Sequence, residues 1–180
     1  NIFRDKETQI HAKKQIKLSS KFSINTDFIK YGTKIDYGAE IYNQFFSTEN
    51  KKNNNKYVNS NYYRAFPIFG LKTETPFKLK KNYKNMTYTP KLSIILTPGI
   101  SNTEKISNED SSINSYTIEN NEDYNRFVGS DKLDNSKRIN ASFSISNEKF
   151  NSTISSTYEF TKNSNYHYSQ GNDKNLSDIL

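Results

Sequence analysis

Cysteine is absent from the 180 residues, so the chain carries neither a disulfide framework nor a thiolate metal site. Long apolar runs are missing too. No stretch approaches the roughly 18 consecutive apolar residues of a membrane-spanning helix, which excludes one. The opening NIFRDKETQIHAKK lacks the apolar segment of a signal peptide, so an exported form needs a start that lies upstream of it. Histidine is confined to His11 and His167, and neither stands in a zinc-ligand or nucleophile pattern. Serines recur on the polar strand faces, yet no spacing selects one as a nucleophile. The chain therefore reads as a non-enzyme without cofactor. Hydrophobic residues make up only 32% and mean hydropathy is −0.94, little for a packed soluble core.

What is abundant is aromatic. Thirteen Tyr and 12 Phe bring the aromatic share to 14%, whereas disordered chains are poor in such residues. A polar average with many aromatics suits strands that are apolar on one face only, as in one-layer sheets and membrane barrels. The net charge of +7 invites a nucleic-acid reading, but no RNP-type, helix-turn-helix or zinc-finger pattern is present. Lys and Asn fill polar positions throughout, and no nucleic-acid partner is expected. Charge is unevenly spread: residues 104–138 hold 8 of the 19 acids and only 5 of the 26 bases.

Alternation sets the fold class. In QIKLSSKFSINTDF, Ile16, Leu18, Phe22, Ile24, Thr26 and Phe28 share one face, with Lys17, Ser19, Lys21, Ser23, Asn25 and Asp27 on the other. Ile35, Tyr37, Ala39 and Ile41 then alternate with Lys34, Asp36, Glu40 and Tyr42, and the short link through Gly32 predicts a hairpin. YYRAFPIFGLKTETPF and MTYTPKLSIILTPG follow, the latter with Tyr88, Leu92, Ile94 and Leu96 on one face. Pro67 and Pro90 belong at edges, bulges or strand starts. RINASFSIS and FNSTISSTYEFT form a second close pair, and NYHYSQG is a last candidate strand.

These six or seven strands are joined by connections of alternating length: short at 29–32, long at 46–61, medium at 77–85, very long at 98–137, short at 147–149. Short turns at one end and long loops at the other characterise an up-and-down transmembrane barrel. The strands run to about ten or twelve residues, beyond the usual five or six of soluble sheets. The expected class is all-β: an antiparallel up-and-down sheet forming part of a large transmembrane β-barrel. A soluble sheet protein whose apolar faces pack together is the alternative.

Five stretches occur in a telling order: RAFP at 64–67, YTPKLSIILTP at 88–98, ISNEDSS at 106–112, NRFVGSDKLDNSKR at 125–138 and YHYSQG at 166–171. In that order the chain resembles the C-terminal outer-membrane barrel of the LPS-assembly protein LptD (OstA/Imp) family, in its alphaproteobacterial branch, which the closing NLSDIL also resembles. Asp131-Lys132 stands where that family commonly has Asp-Arg, keeping the charge but losing the planar fork of arginine. The resemblance implies a component of the outer-membrane translocon that assembles lipopolysaccharide (LPS) at the cell surface. It implies as partners LPS, a plug lipoprotein of the LptE type, periplasmic Lpt bridge proteins and outer-membrane lipids. It also implies a mid-barrel fragment of about six to eight strands over 1–180, without the jelly-roll domain, the disulfide cysteines or the terminal gate strands. The rivals are a generic porin-like or receptor-like barrel and a β-rich surface binding protein.

Candidate sites fall in two groups. Asn108, Glu109, Asp110 and Ser111 offer clustered oxygens, but the order of a calcium loop is missing, so they are expected to fold the long loop through side-chain-to-backbone bonds. Arg126, Gly129 and Asp131 are expected to order it too, Gly129 by its permissive backbone and Arg126 by pairing with Asp110, Asp131 or Asp134. Lys17, Lys21, Lys34 and Lys91 fall on polar strand faces, which in a barrel face the lumen and favour anionic LPS groups. Lys78, Lys80, Lys81 and Lys84 crowd one turn, suited to anionic head groups or simply to solvation. Tyr62, Tyr63, Phe66, Tyr83, Tyr88 and Phe160 lie where an aromatic girdle would place them.

Overall fold

The computed structural model describes residues 13–53, 56–79, 85–99, 106, 110–113 and 117–161. Strands β1 (Lys14–Lys30), β2 (Thr33–Asn53), β3 (Lys56–Glu74), β4 (Phe77–Leu79) and β5 (Met86–Leu96) precede the long connection. That connection holds β6 (Ser112–Ile113), the four-residue helix α1 (Ile118–Asn121) and β7 (Phe127–Val128). Strands β8 (Lys137–Ser146) and β9 (Asn151–Glu159) complete the order. One antiparallel sheet runs β1-β2-β3-β5-β8-β9, with β4 on the flank of β5, and β6 pairs with β7 in a separate ribbon. The six long strands pair in sequence order, which is the up-and-down topology the alternation predicts. No helix among the described residues is long and apolar enough to cross a membrane.

Local chemistry explains the turns and the interruptions. Tyr31 and Gly32 take φ of 52° and 77°, the two positive values of a tight primed hairpin turn that matches strand twist. Both prolines sit where a ladder is already broken. Pro67 lies beyond the 69–74 segment of β3 that β5 covers, and Pro90 lies opposite the gap between β3 and β4.

The connection expected at 46–61 is corrected. Strand β2 runs on to Asn53 and β3 begins at Lys56, with a register shift between Thr48 and Lys51. Strands of 21 and 19 residues are about twice the 9–11 that cross a bilayer, so a stretch without alternation at their ends is not by itself the sign of a loop. The candidate strand NYHYSQG lies outside the described residues.

The sheet has two unlike faces. One carries Ile16, Leu18, Phe22, Ile24, Ile41, Phe69, Leu92, Leu96, Ile154 and Tyr158, all exposed. Among the described residues nothing covers this wide apolar surface, which exceeds what a water-soluble monomer leaves bare. The other face is largely polar, apart from the buried Phe46 and a patch of Phe66, Ile68 and Ile95; there the long connection lies down, burying Leu133 against that patch with Tyr42 and Tyr124 at its edge. A soluble protein would bury the first face; this one buries part of the second.

Candidate functional site: a strap across the polar face

Residues 110–113 and 117–136 form a strap that reaches side chains on β1, β2, β3, β5, β8 and β9. Three attachments hold it, and each follows from the parity of the strands beneath.

The first is a clasp at the β1 end. Lys17 Nζ donates to Asp110 Oδ2 and to Asp131 Oδ1, both at 2.6 Å. The two aspartates also bind one another's backbone: Asp110 N donates to Asp131 Oδ2 at 3.0 Å, and Asp131 N to Asp110 Oδ1 at 2.8 Å. Ser111 Oγ donates to Asp110 and accepts from Lys132 N at 2.9 Å. Gly129 makes this approach possible, since its φ is 84° and an added Cβ would stand 2.2 Å from the Asp110 carbonyl oxygen. Burial alone would raise the Asp110 carboxyl, but the Lys17 bond, then the bonds from Asp131, Ser111 and Ser130, hold it well below the usual carboxylate range. Next to the clasp, Arg64 and Gln44 hold the strap by its main chain. Arg64 Nη2 donates to Asp131 O at 2.9 Å and Gln44 Nε2 to Ser130 O at 2.8 Å.

The second attachment seats an aromatic ring. Gly38 and Gly70 are cross-strand partners on the covered face. A Cβ at Gly70 would fall 2.0 Å from Tyr124 Cε1, and one at Gly38 2.9 Å from the Tyr124 hydroxyl. The paired glycines are thus a slot filled by Tyr124, whose hydroxyl lies 3.4 Å from Asn25 Oδ1. Burial pushes the Tyr124 phenol upward, aided by Glu40 and Asp36.

The third is a buried ion cluster at the β8–β9 end. Arg126 Nε donates to Asp134 Oδ2 at 2.5 Å and Nη2 to Glu159 Oε2 at 3.2 Å. Arg138 Nη1 reaches the same Asp134 oxygen at 3.0 Å, and Arg138 also donates to the Asp123 carbonyl. Glu159 accepts further from Ser136 Oγ at 2.6 Å and Lys137 N at 3.0 Å. Two arginines and two acids are at most 3% exposed, and their charges sum to zero, which makes such burial tolerable. Beside them, the wholly buried Asn121 donates to Ser155 Oγ at 3.1 Å, and its carbonyl accepts from Asn140 at 2.8 Å. Thr117 caps α1 in a reciprocal box with Asn120 and so fixes where Asn121 points.

Several expected residues come together here. Asp110, Ser111, Gly129 and Asp131 meet in the clasp with Lys17, while Arg126 lies apart from them and takes Asp134. Asn108 and Glu109 lie outside the described residues, as do Tyr83, Tyr116, Lys80, Lys81 and Lys84. The other lysines expected on the polar face are ion-paired: Lys21 with Glu40 at 2.7 Å, Lys34 with Asp36 at 3.1 Å and Lys91 with Glu74 at 3.4 Å. Phe66 departs from the girdle expectation, being wholly buried on the covered face, which Tyr62 shares by parity. Tyr63, Tyr88 and Phe160 are on the apolar face. There Tyr88 stacks on Phe77 at 4.9 Å and meets Phe143 at 5.5 Å. Sequence reasoning missed Gln44, Arg64, Asn121, Asp134 as the hub, Arg138 and Glu159. Parity alone places Arg138, Asn140, Thr157 and Glu159 on the polar side, a signal strong enough to have found them.

An uncovered apolar face behind a strapped polar one needs lipid on one side and water on the other, and the family model for LPS transport system D matches residues 3–180. The chain belongs to the LPS transport system D family. No curated protein matches the sequence. Membership makes the chain an all-β component of LPS transport and assembly at the outer membrane, and decides against the porin-like, receptor-like and surface-binding alternatives. The family is one of transport and assembly, and in it the two faces of the sheet take on direction.

Proposed function

We propose that this chain forms a sector of the outer-membrane barrel wall through which LPS passes to the cell surface, its apolar face against lipid and its polar face lining the lumen. The strap, described over 110–113 and 117–136, narrows the lumen from within. Its attachments across the polar face, from Lys17 on β1 to Glu159 on β9, are the observation that carries the reading. Open strand edges are not tolerated in lipid, so β1 and β9 are continued by further strands in a closed barrel. A plug lipoprotein of the LptE type fits against the strap and the free polar wall, and periplasmic Lpt bridge proteins deliver LPS from the short-turn end. The lumen-side lysines Lys17, Lys21, Lys34 and Lys91, each with an acid partner, then act as a charge-balanced lining that lets anionic groups slide, not as a trap for them. Depleting the protein in cells tests the reading: LPS should vanish from the surface and accumulate behind the outer membrane. Surface LPS unchanged by depletion would overturn it.

A further inference from the structure

The apolar face carries a polar notch toward the end away from the Tyr31–Gly32 turn. Ser20 and Asn43 are cross-strand partners there, and Asn43 pairs in turn with Ala65 on β3. The row nearer the turn is Phe22, Ile41 and Pro67, and the row beyond is Leu18, Phe45 and Tyr63. Two polar side chains and one small one thus lie between two apolar rows. They open a shallow cavity of about 300 Å³, lined by Leu18, Ser20, Asn43, Phe45 and Tyr63. The Tyr63 hydroxyl donates to Asn43 Oδ1 at 3.2 Å, which leaves the Asn43 amide nitrogen and the Ser20 hydroxyl without a bond to any described residue. In water such donors are satisfied by solvent. In hydrocarbon each one left unmade is costly, so a face that meets lipid must have them answered.

Both free groups donate, and together they call for an acceptor oxygen that arrives from the lipid side. The acyl ester carbonyl of a bilayer lipid supplies one, just below the head group, at the level where rings such as Phe45 and Tyr63 form a girdle. Head-group charge is the second constraint. Farther along the same face Lys14 and Glu49 are cross-strand partners 4.0 Å apart, so among the described residues this rim exerts no net pull on an anionic head group. We propose that the notch is a subsite for one zwitterionic glycerophospholipid, whose ester carbonyl accepts from Asn43 Nδ2 and Ser20 Oγ while its chain lies over the exposed Phe22 and Ile41. The subsite deepens the barrel-wall reading, on which it rests, by fixing one lipid at a named place on the wall.

The test compares two probes, phosphatidylethanolamine with ester-linked chains and its ether-linked counterpart of the same chain length, which has no carbonyl. Native mass spectrometry of the full-length protein in detergent micelles reads the affinity for the first lipid bound. The ester form is expected to bind about tenfold more tightly, a factor of about three from each bond. That preference should fall to about threefold in Ser20→Ala and vanish in the Ser20→Ala/Asn43→Leu double variant. Equal affinity for the two probes, or an ester preference that survives the double variant, would overturn the subsite. LPS that displaces the ester lipid would overturn it too, since its head group is anionic. A vesicle lipid with a photoreactive carbene precursor in its chain separates the subsite from the wall. If it labels Ile24 and Leu92 but no ester preference is found, the subsite falls and the wall stands; if it labels neither, the wall reading itself falls.

Discussion

Arg126 and Asp110 show how differently single residues can fasten one strap. Arg126 is 1% exposed and gives two of its nitrogens to Asp134, one of them shared with Glu159. Removing one partner of a buried ionic group costs about 3–5 kcal/mol, because the charges left behind lose compensation. Arg126→Ala should therefore free the strap while the strands persist, seen as rapid proteolysis within 98–137, unchanged strand content by circular dichroism and greater leakage of large solutes. Unchanged proteolysis and permeability would show that the cluster does not hold the strap. Asp110, by contrast, is half open to solvent and acts through its ionised form. Its carboxyl in the folded protein titrates below the ordinary value of about 3.9, so its contribution is complete above that value and is lost as pH falls through the depressed one. Asp123 runs the other way: burial raises its carboxyl, so it favours docking at low pH and opposes it once ionised. The clasp should loosen on acidification below about pH 4, as followed by strap proteolysis with an acid-active protease. In Asp110→Asn that dependence should flatten; an identical acid profile in the variant would remove Asp110 from the account.

At the scale of elements, strands and strap differ in where their information lies. A strand of this sheet is written locally, by residues two apart, and so β1, β5, β8 and β9 were readable with their faces assigned. The prolines, too, could be placed at ladder breaks from residue type alone. The strap is written at a distance: Tyr124 is ordered by Gly38 and Gly70, and Asp131 by Lys17, separated by 114 residues. Its local sequence announces only that it turns and bonds its own backbone, which is what Asp110, Ser111 and Gly129 revealed. The glycine slot gives a direct test of this division. Gly70→Ala drives a methyl into the Tyr124 ring and should cost about 1–3 kcal/mol of strap docking, as overpacking does, without disturbing β3, where alanine is an acceptable strand residue. Adding Tyr124→Ala should remove the clash, so the double variant should lose no more than Tyr124→Ala alone in a proteolysis assay. Additive losses would mean that the two residues do not meet.

On the scale of the whole molecule, the decisive asymmetry is between a face that is apolar and bare and a face that is polar and partly strapped. Strand patterning foretold both faces, though not which one the chain itself would cover, because period two is the same in a soluble sandwich and in a membrane wall. Side-chain substitution at neighbouring positions of β5 separates the alternatives. Leu92 and Lys91 adjoin each other near the middle of that strand and point to opposite faces, Leu92 bare and Lys91 paired with Glu74. If lipid covers the apolar face, Leu92→Arg places a charge in hydrocarbon and should cost about 2–4 kcal/mol near the midplane. Lys91→Gln removes only a half-exposed ion pair, for which about 0–1 kcal/mol is the ordinary loss. Urea unfolding of the full-length protein reconstituted in lipid vesicles measures both. In water the order of these costs would differ, since an arginine at an exposed leucine position is nearly neutral there. Equal tolerance at the two positions would thus mean that no lipid touches the apolar face, and the barrel wall would have to be abandoned whatever the strap does.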